Sequence, residues 1–172
     1  TTTIVRYQNV YGPRMGFKHA IPHIIERFVR DKKSPFSIYG GNQTRAFTFI
    51  TDAAECSVLA LERQDLEQEI FHVGNSTEIS IQHLTKLIGS HFEYDGPYRL
   101  DPTYPGSVNR RCPDLSKTET ILGYSPKVSL QDGLVSTINW YRDYFHSGKS
   151  ITTGGFRPPE SLRDFNELSK QT

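Results

Sequence analysis

The apolar residues of this chain form short runs and helical stripes that predict alternating strands and helices. Residues 2–7 are mostly β-branched or apolar, which is typical of a strand in a buried parallel sheet. Residues 21–29 then repeat apolar side chains at helical spacing, and Pro22 falls in a first turn, where proline is tolerated. The predicted inward positions of this helix are Ile21, Ile24, Ile25, Phe28 and Val29.

Residues 38–52 show the clearest local pattern of strand, turn and strand. A short apolar strand ends at residues 38–39 and is broken by the glycines at 40–41, because glycine adopts backbone conformations that other residues avoid. After a polar loop, Arg45 begins a second strand, in which Phe47 and Phe49 alternate on one side. The pattern therefore places an arginine where a flexible loop meets a rigid strand.

The rest of the chain continues the alternation. A helix over 52–63, capped by Thr51 or Asp52, is predicted to turn Ala54, Val58 and Leu61 inward. Ser80 and Ser129 are predicted to cap two later helices, whose inward residues are Ile81, Leu84 and Ile88 in the first and Leu130, Leu134, Ile138, Tyr141 and Phe145 in the second. The remaining predicted elements are strands at 69–73 and 96–100, a helix over 114–123, and a polar tail over 148–172 with a short helix near 161–168.

Composition narrows the function classes. The 172 residues suffice for one domain with a core, and the apolar share of 35% and charged share of 23% are ordinary for a globular protein. A net charge of +1 gives no reason to expect nucleic acid or an anionic membrane as the partner. No run is long enough to span a membrane and no signal peptide is evident, so a cytoplasmic protein is predicted.

The residue types that usually carry catalysis or bind metals are scattered. Cys56 and Cys112 show neither metal spacing nor a disulfide framework, and Cys56 fits a small buried position in a helix. His19 and His23 would share a helix face as a zinc pair, but no third ligand is suggested, so no metal site is predicted. A dinucleotide fingerprint and the Gly-x-Ser-x-Gly and His-Glu-x-x-His motifs are absent from the sequence.

Arginines and aromatic residues stand where predicted strands and loops meet. They are Arg14, Tyr39, Arg45, Arg110 and Arg111. A planar guanidinium suits a phosphate and an aromatic ring suits a nucleobase or sugar, so these residues indicate a binding site for an anionic, ring-bearing small molecule. The alternative is that Arg45 only pairs with a surface carboxylate and that residues 9–14 only form a turn.

Several short motifs occur in a fixed order along residues 2–141. They are Asn-Val-Tyr-Gly-Pro-Arg at 9–14, Ile-Tyr-Gly at 38–40, Gln-Thr-Arg-Ala-Phe at 43–47, and Asp-Leu-Ser-Lys at 114–117 followed by Leu-Gly-Tyr-x-Pro at 122–126. Together they resemble the C-terminal half of the NAD-dependent nucleotide-sugar epimerase/dehydratase family of extended short-chain dehydrogenases. The family includes UDP-glucose 4-epimerase, the dTDP-glucose and GDP-mannose 4,6-dehydratases, and UDP-glucuronate decarboxylase.

The resemblance implies an α/β fold: the last strand or strands of a Rossmann-type parallel sheet plus a smaller mixed α/β substrate-binding lobe, with the N-terminal half missing. In the family that half binds NAD and holds a Tyr-x-x-x-Lys pair, which this sequence lacks. Residues 1–147 would be the nucleotide-sugar-binding part and 148–172 a polar tail. The parent enzyme would oxidise a nucleotide sugar at C4, this chain alone would be inactive, and a homodimer is possible.

The resemblance also implies residue roles. Asn9 resembles a contact to the diphosphate or sugar, and Val10 falls near the nicotinamide end of NAD. Residues 19–24, beginning His19-Ala20-Ile21, resemble a first helical turn that wraps the nucleotide. Tyr39 resembles the residue beside the base, and Arg45 the arginine that grips the diphosphate. No catalytic residue is assigned in this chain.

One departure concerns the subfamily. Tyr104 stands where the epimerases and the dTDP-glucose dehydratases have an arginine, so Arg110 or Arg111 would supply that charge. Arg111-x-Pro113-Asp114 is closer to the UDP-glucuronate decarboxylase pattern. A UDP-sugar is the favoured substrate. Two other interpretations stay open: a relative that binds nucleotide sugars without catalysis, and an independent α/β domain whose motifs are coincidental.

Overall fold

The computed structural model describes residues 2–31, 33–103 and 105–147 and shows a mixed α/β fold, which confirms the predicted class. The strands are β1 (Thr3–Tyr7), β2 (Val10–Tyr11), β3 (Phe36–Tyr39), β4 (Thr44–Ala46), β5 (Thr48–Phe49), β6 (Glu69–Val73), β7 (Glu78–Ser80), β8 (Tyr98–Asp101) and β9 (Arg110–Arg111). The helices are α1 (Ala20–Arg30), α2 (Ile50–Glu62), α3 (Ile81–Ser90), α4 (Ser116–Leu122) and α5 (Leu130–His146). Within these ranges no helix is long and apolar enough to cross a membrane.

Strands β1 and β6 form a parallel pair, as the β-branched residues of β1 predicted. Phe71 and Val73 of β6 point inward and are fully buried against α2 and α4. Ile4 and Ile70 are paired in register on the opposite face, and they are 49% and 44% exposed. One face of this sheet is therefore covered and the other is open.

A second and larger core lies between α1, α3 and α5 and the parallel pair β3–β8. Phe28 of α1 stacks on Phe36 of β3 with ring centroids 3.9 Å apart, and Phe92 stacks at 5.5 Å from Phe28. Leu134 and Ile138 of α5 complete this core. Apolar residues at helical spacing thus bury one face of each helix, as the sequence predicted for α1, α3 and α5.

A small sheet with β4 at its centre positions the candidate site. β4 pairs with β7 in the antiparallel sense and with β9 in the parallel sense, so that Arg45 lies opposite Ile79 and Arg111. The predicted strand from Arg45 to Phe49 is interrupted at Phe47, and its last residues, β5, pair with β2 instead. This break brings the loop before β2 close to the end of β4.

The start of helix α2 differs from the prediction. It begins at Ile50, after an extended residue Phe49, so neither Thr51 nor Asp52 is its cap. The side chain of Asp52 instead accepts hydrogen bonds from the backbone N–H groups of Lys127 and Val128, both at 3.0 Å, because it is buried beside that segment.

The predicted inward face of α2 is also wrong. Ala53, Cys56 and Ala60 are buried, whereas Val58 is 51% and Leu61 is 81% exposed, and Ala54 is exposed. The small residues face the β1–β6 sheet because α2 lies close against it. Cys56 has the buried position expected for it, and burial raises the pKa of its thiol to about 11.

The helix ends of the second half follow the sequence more closely. Ser80 accepts a hydrogen bond from the N–H of His83, and Ser129 accepts one from the N–H of Asp132, as predicted for the two caps. Gly123 ends α4 in the left-handed region at φ 65°, but α4 begins at Ser116 rather than at Asp114. The predicted tail over 148–172, with its short helix, lies outside the described residues.

Candidate functional site

A cavity of about 350 Å³ opens between the first turn of α1, the ends of β3 and β4, the loop before β2, and the segment that leads into β9. Its volume lies in the range of small-molecule binding sites. The polar and aromatic side chains around it are Asn9, Lys18, His19, His23, Arg27, Tyr39, Gln43, Arg45, Phe47, Thr85, Thr103, Ser107 and Arg111. None of the described residues that line it is Asp or Glu, so the cavity favours an anionic ligand.

Asn9 holds the wall of the cavity between β1 and β2. Its φ of 42° lies in the left-handed region, which asparagine tolerates better than most residues. The side-chain amide donates to the backbone oxygen of Ala46 at 2.9 Å, and the backbone oxygen of Asn9 accepts from the N–H of Thr48 at 3.2 Å. Asn9 therefore ties the loop before β2 to the end of β4. Val10, the predicted contact to NAD, lies beside it in the same wall.

The first turn of α1 forms the opposite wall. His19 precedes the helix with an extended backbone and without a side-chain hydrogen bond that caps it. The first backbone bond of the helix runs from the N–H of His23 to the oxygen of His19, so the N–H groups of Ala20 and Ile21 come before it. No acidic residue occupies this turn, and a helix N-terminus favours anions.

Tyr39 stands at the rim of the cavity, where β3 ends. Its ring is close to Arg27, whose guanidinium lies 5.4 Å from the ring centroid of Tyr39 and 4.2 Å from that of Phe36. Arg27 also donates to the backbone oxygen of Ser37 at 2.7 Å, which fixes the guanidinium over the strand. An exposed aromatic ring with a fixed cation nearby offers a flat surface on which another ring can stack.

Arg45 is held by main-chain and amide oxygens. Its guanidinium donates to the backbone oxygens of Thr44 at 2.7 Å, Val108 at 2.6 Å and Asn109 at 3.2 Å, and to Oε1 of Gln43 at 3.2 Å. Among the described residues it makes no ion pair with a carboxylate, so the alternative of a surface salt bridge is wrong. Burial, and then the nearby charge of Arg111, lower the pKa of Arg45.

The two adjacent arginines of β9 have different places. Arg111 lines the cavity beside Arg45, its register partner on the neighbouring strand, and no ion pair links it to a carboxylate of the described segments. Arg110 points to the other side of the strand, since successive side chains alternate, and pairs with Glu78. Its guanidinium donates to both carboxylate oxygens of Glu78, with Nε 3.0 Å from each.

The predicted substrate-binding residues therefore lie together in the cavity, with the exception of Arg110. Arg14, a further candidate, is exposed at a positive φ of 67° and does not line it. His19 and His23 lie in the wall, but no group of three metal-ligating side chains occurs in residues 2–31, 33–103 or 105–147. Tyr104, where the motif departs from the family pattern, lies outside the described residues.

Five further residues line the cavity and were not among the predicted site residues: Lys18, Arg27, Gln43, Thr103 and Ser107. Arg27 lies among other charged residues in the sequence, at 26–33, so nothing local distinguishes it as a site residue. Gln43 stands two residues before Arg45 in the same motif, and this spacing was the signal that could have drawn attention to it.

Comparisons with known proteins agree with this geometry. The sequence model of the NAD dependent epimerase/dehydratase family matches residues 1–74. UDP-N-acetyl-alpha-D-glucosaminuronate decarboxylase of Bacillus cytotoxicus is 32% identical over an alignment of 155 residues, and the match covers 82% of this chain and 46% of that protein. UDP-glucuronic acid 4-epimerase from Bacillus cereus, solved with UDP-glucuronic acid and NAD, superposes with a TM-score of 0.75 at 32% identity, over 83% of this chain and 45% of that one.

This chain belongs to the NAD-dependent epimerase/dehydratase family. UDP-glucose 4-epimerase from Thermotoga maritima, solved with UDP-glucose, is a further member with a similar structure, at a TM-score of 0.74 and 30% identity, over 83% of this chain and 46% of that one. The chain spans about half the length of these relatives. The predicted resemblance is thus confirmed at the level of the family, which contains both epimerases and decarboxylases.

Proposed function

We propose that the cavity binds the nucleoside-diphosphate part of a nucleotide sugar, with the diphosphate against Arg45 and Arg111. The observation that carries this proposal is the pair of arginines that lie side by side on neighbouring strands of the cavity wall, with no Asp or Glu among the described lining residues. Guanidinium groups match phosphate oxygens in geometry as well as in charge. The family relatives solved with UDP-glucose and UDP-glucuronic acid support a UDP-sugar as the ligand.

The cavity has an aromatic residue at one end for the nucleobase and the loop before β2 at the other end for the sugar. The nucleobase would lie beside Tyr39, near the guanidinium of Arg27. Phosphate oxygens would lie near the N–H groups of Ala20 and Ile21 at the start of α1. The sugar would extend toward Asn9 and Val10, which line the same cavity.

In the whole protein this chain would serve to bind and orient the substrate. In the parent enzyme, NAD bound mainly by the other half would supply the hydride acceptor for oxidation at C4 of the sugar, as the family resemblance implies. The half-buried apolar side chain of Val10 fits contact with the nicotinamide ring, and it is the one residue of this chain that we assign to the cofactor. Binding energy from the nucleotide would hold the sugar ring in place for that transfer.

Decarboxylation of a UDP-uronate is the second candidate reaction. Arg111 lies in the cavity and belongs to the Arg-x-Pro-Asp pattern of 111–114 that resembles the decarboxylases. UDP-glucuronic acid decarboxylase 2 of Arabidopsis thaliana, 31% identical over 142 residues, is consistent with this choice. Neither the reaction that follows oxidation nor the predicted homodimer is tested by these observations, and both stay predictions.

The binding proposal is tested by calorimetric titration of the whole protein that contains this chain with UDP-glucose and UDP-glucuronic acid. Arg45→Ala should weaken binding by about 1.5–3 kcal/mol, the range for hydrogen bonds to charged groups. Arg110→Ala, which removes a neighbouring arginine paired with Glu78, should change the affinity little. Equal affinities of wild type and Arg45→Ala would remove Arg45 from the site and contradict the proposal.

A further inference from the structure

The side-chain amide of Gln43 has a donor without an acceptor. Gln43 is 8% exposed and lines the cavity. In the part of the chain that the structure describes, its Nε2 is the buried side-chain nitrogen or oxygen that has no hydrogen-bond partner. An unpaired buried donor is destabilising, and such groups in native proteins are usually satisfied by water, by an ion or by a ligand.

The orientation of this amide follows from its neighbours. Oε1 of Gln43 accepts from Nη2 of Arg45 at 3.2 Å and from the hydroxyl of Ser107 at 3.0 Å. A guanidinium can only donate, so the amide oxygen must face Arg45 and Nε2 must point the other way. The backbone is fixed too, because the N–H of Gln43 donates to Gly40 and its oxygen accepts from Ile81, both at 2.9 Å.

The chemistry of the cavity indicates what the free N–H groups would meet. Arg45 and Arg111 attract an anion to the wall that Gln43 shares with them. A phosphate group offers several acceptor oxygens, of which two guanidinium groups engage only some. The bond from Arg45 to Oε1 also polarises the amide and makes its N–H groups better donors.

We propose that Gln43 donates its Nε2–H to an oxygen of the same diphosphate that Arg45 binds. Gln43 is then a direct ligand-binding residue rather than only a support for Arg45. This inference rests on the proposed function, which supplies the diphosphate. Gln43 and Arg45 would then bind the same anion, while Arg45 also donates a hydrogen bond to Gln43.

The test is titration of the whole protein with UDP and with uridine. Gln43→Met, which has a similar length but no donor, should weaken UDP binding about tenfold, the loss expected for one hydrogen bond to a charged group, and leave uridine binding unchanged. Gln131→Met, the same substitution at an exposed position of α5, should leave both affinities unchanged. Equal loss for UDP and uridine, or no loss for UDP, would overturn the assignment.

A double-mutant cycle separates direct contact from support of Arg45. In an Arg45→Ala background, a direct contact predicts that Gln43→Met still lowers UDP affinity several-fold, whereas a role only through Arg45 predicts no further loss and would overturn the proposal. Loss of UDP binding in Arg45→Ala combined with no effect of Gln43→Met would refute the Gln43 assignment alone. A wild-type protein that does not bind UDP or a UDP-sugar would refute the proposed function and this inference with it.

Discussion

The core around the cavity and the layer formed by β1, β6 and α2 bury their apolar residues to different degrees. Phe28, Phe36 and Ile138 in the first region are at most 1% exposed. Ile4 and Ile70 in the second are 49% and 44% exposed, although they belong to strands. The apolar residues of the core beside the cavity are therefore buried by other residues of the chain, whereas one face of the β1–β6 sheet is exposed.

Helix α2 repeats this contrast within one element. Its small residues Ala53, Cys56 and Ala60 are buried, and the larger Val58 and Leu61 are exposed. Val58 and Leu61 are three residues apart and therefore share one exposed face of the helix. The core beside the cavity is thus covered within the described residues, whereas we expect other polypeptide to cover the open face of the β1–β6 sheet.

Substitutions in the two regions should lower the free energy of unfolding by very different amounts. Phe28→Ala should lower the free energy of unfolding of this chain by about 3–5 kcal/mol, because it leaves a cavity between stacked rings in the closed core. Leu61→Ala, in the open layer, should change it by less than about 0.5 kcal/mol. Denaturant unfolding followed by circular dichroism measures both. Comparable losses for the two variants would mean that the β1–β6–α2 layer is as closed as the cavity core.

The exposed face of the β1–β6 sheet should also cause weak self-association of the chain. The isolated chain should self-associate as its concentration rises, and Ile70→Lys should reduce this, because it places a charge in the uncovered face of the sheet. Sedimentation velocity over a range of concentrations measures the change, with Ser90→Lys at an exposed end of α3 as control. A wild-type chain that is monomeric throughout and unfolds sharply at high temperature would contradict the expectation.

Much of the fold could be predicted from the sequence because local signals are strong in the helices. Ser80 and Ser129 cap their helices through a short-range hydrogen bond that needs no tertiary contact. The face of α2 was predicted wrongly because residue size suggested Val58 and Leu61 as the inward stripe. Close approach of the helix to the sheet selects the small side chains instead, and no local pattern records that distance.

In the candidate site, too, some features have a local sequence signal and others depend on tertiary contacts. Arg45 and Tyr39 were predicted because they stand at the ends of strands within recognisable motifs. Whether Arg110 or Arg111 faces the cavity depends on the register of β9, a strand of two residues that pairs with β4 across more than sixty positions of sequence. Gln43 stands two residues before Arg45, so its contact with Arg45 has a local signal in the sequence. The contact of Ser107 with Gln43 spans 64 positions and has no such signal.

In our proposal the cavity beside Arg45 is the nucleotide-sugar site, and a crystal structure of the whole protein with UDP would show whether the ligand binds there. We predict diphosphate oxygens within about 3.2 Å of the guanidinium nitrogens of Arg45, a hydrogen-bonding distance, with the uracil ring beside Tyr39. UDP bound elsewhere, with Arg45 still donating to Val108 and Asn109 and no phosphate near it, would contradict the account.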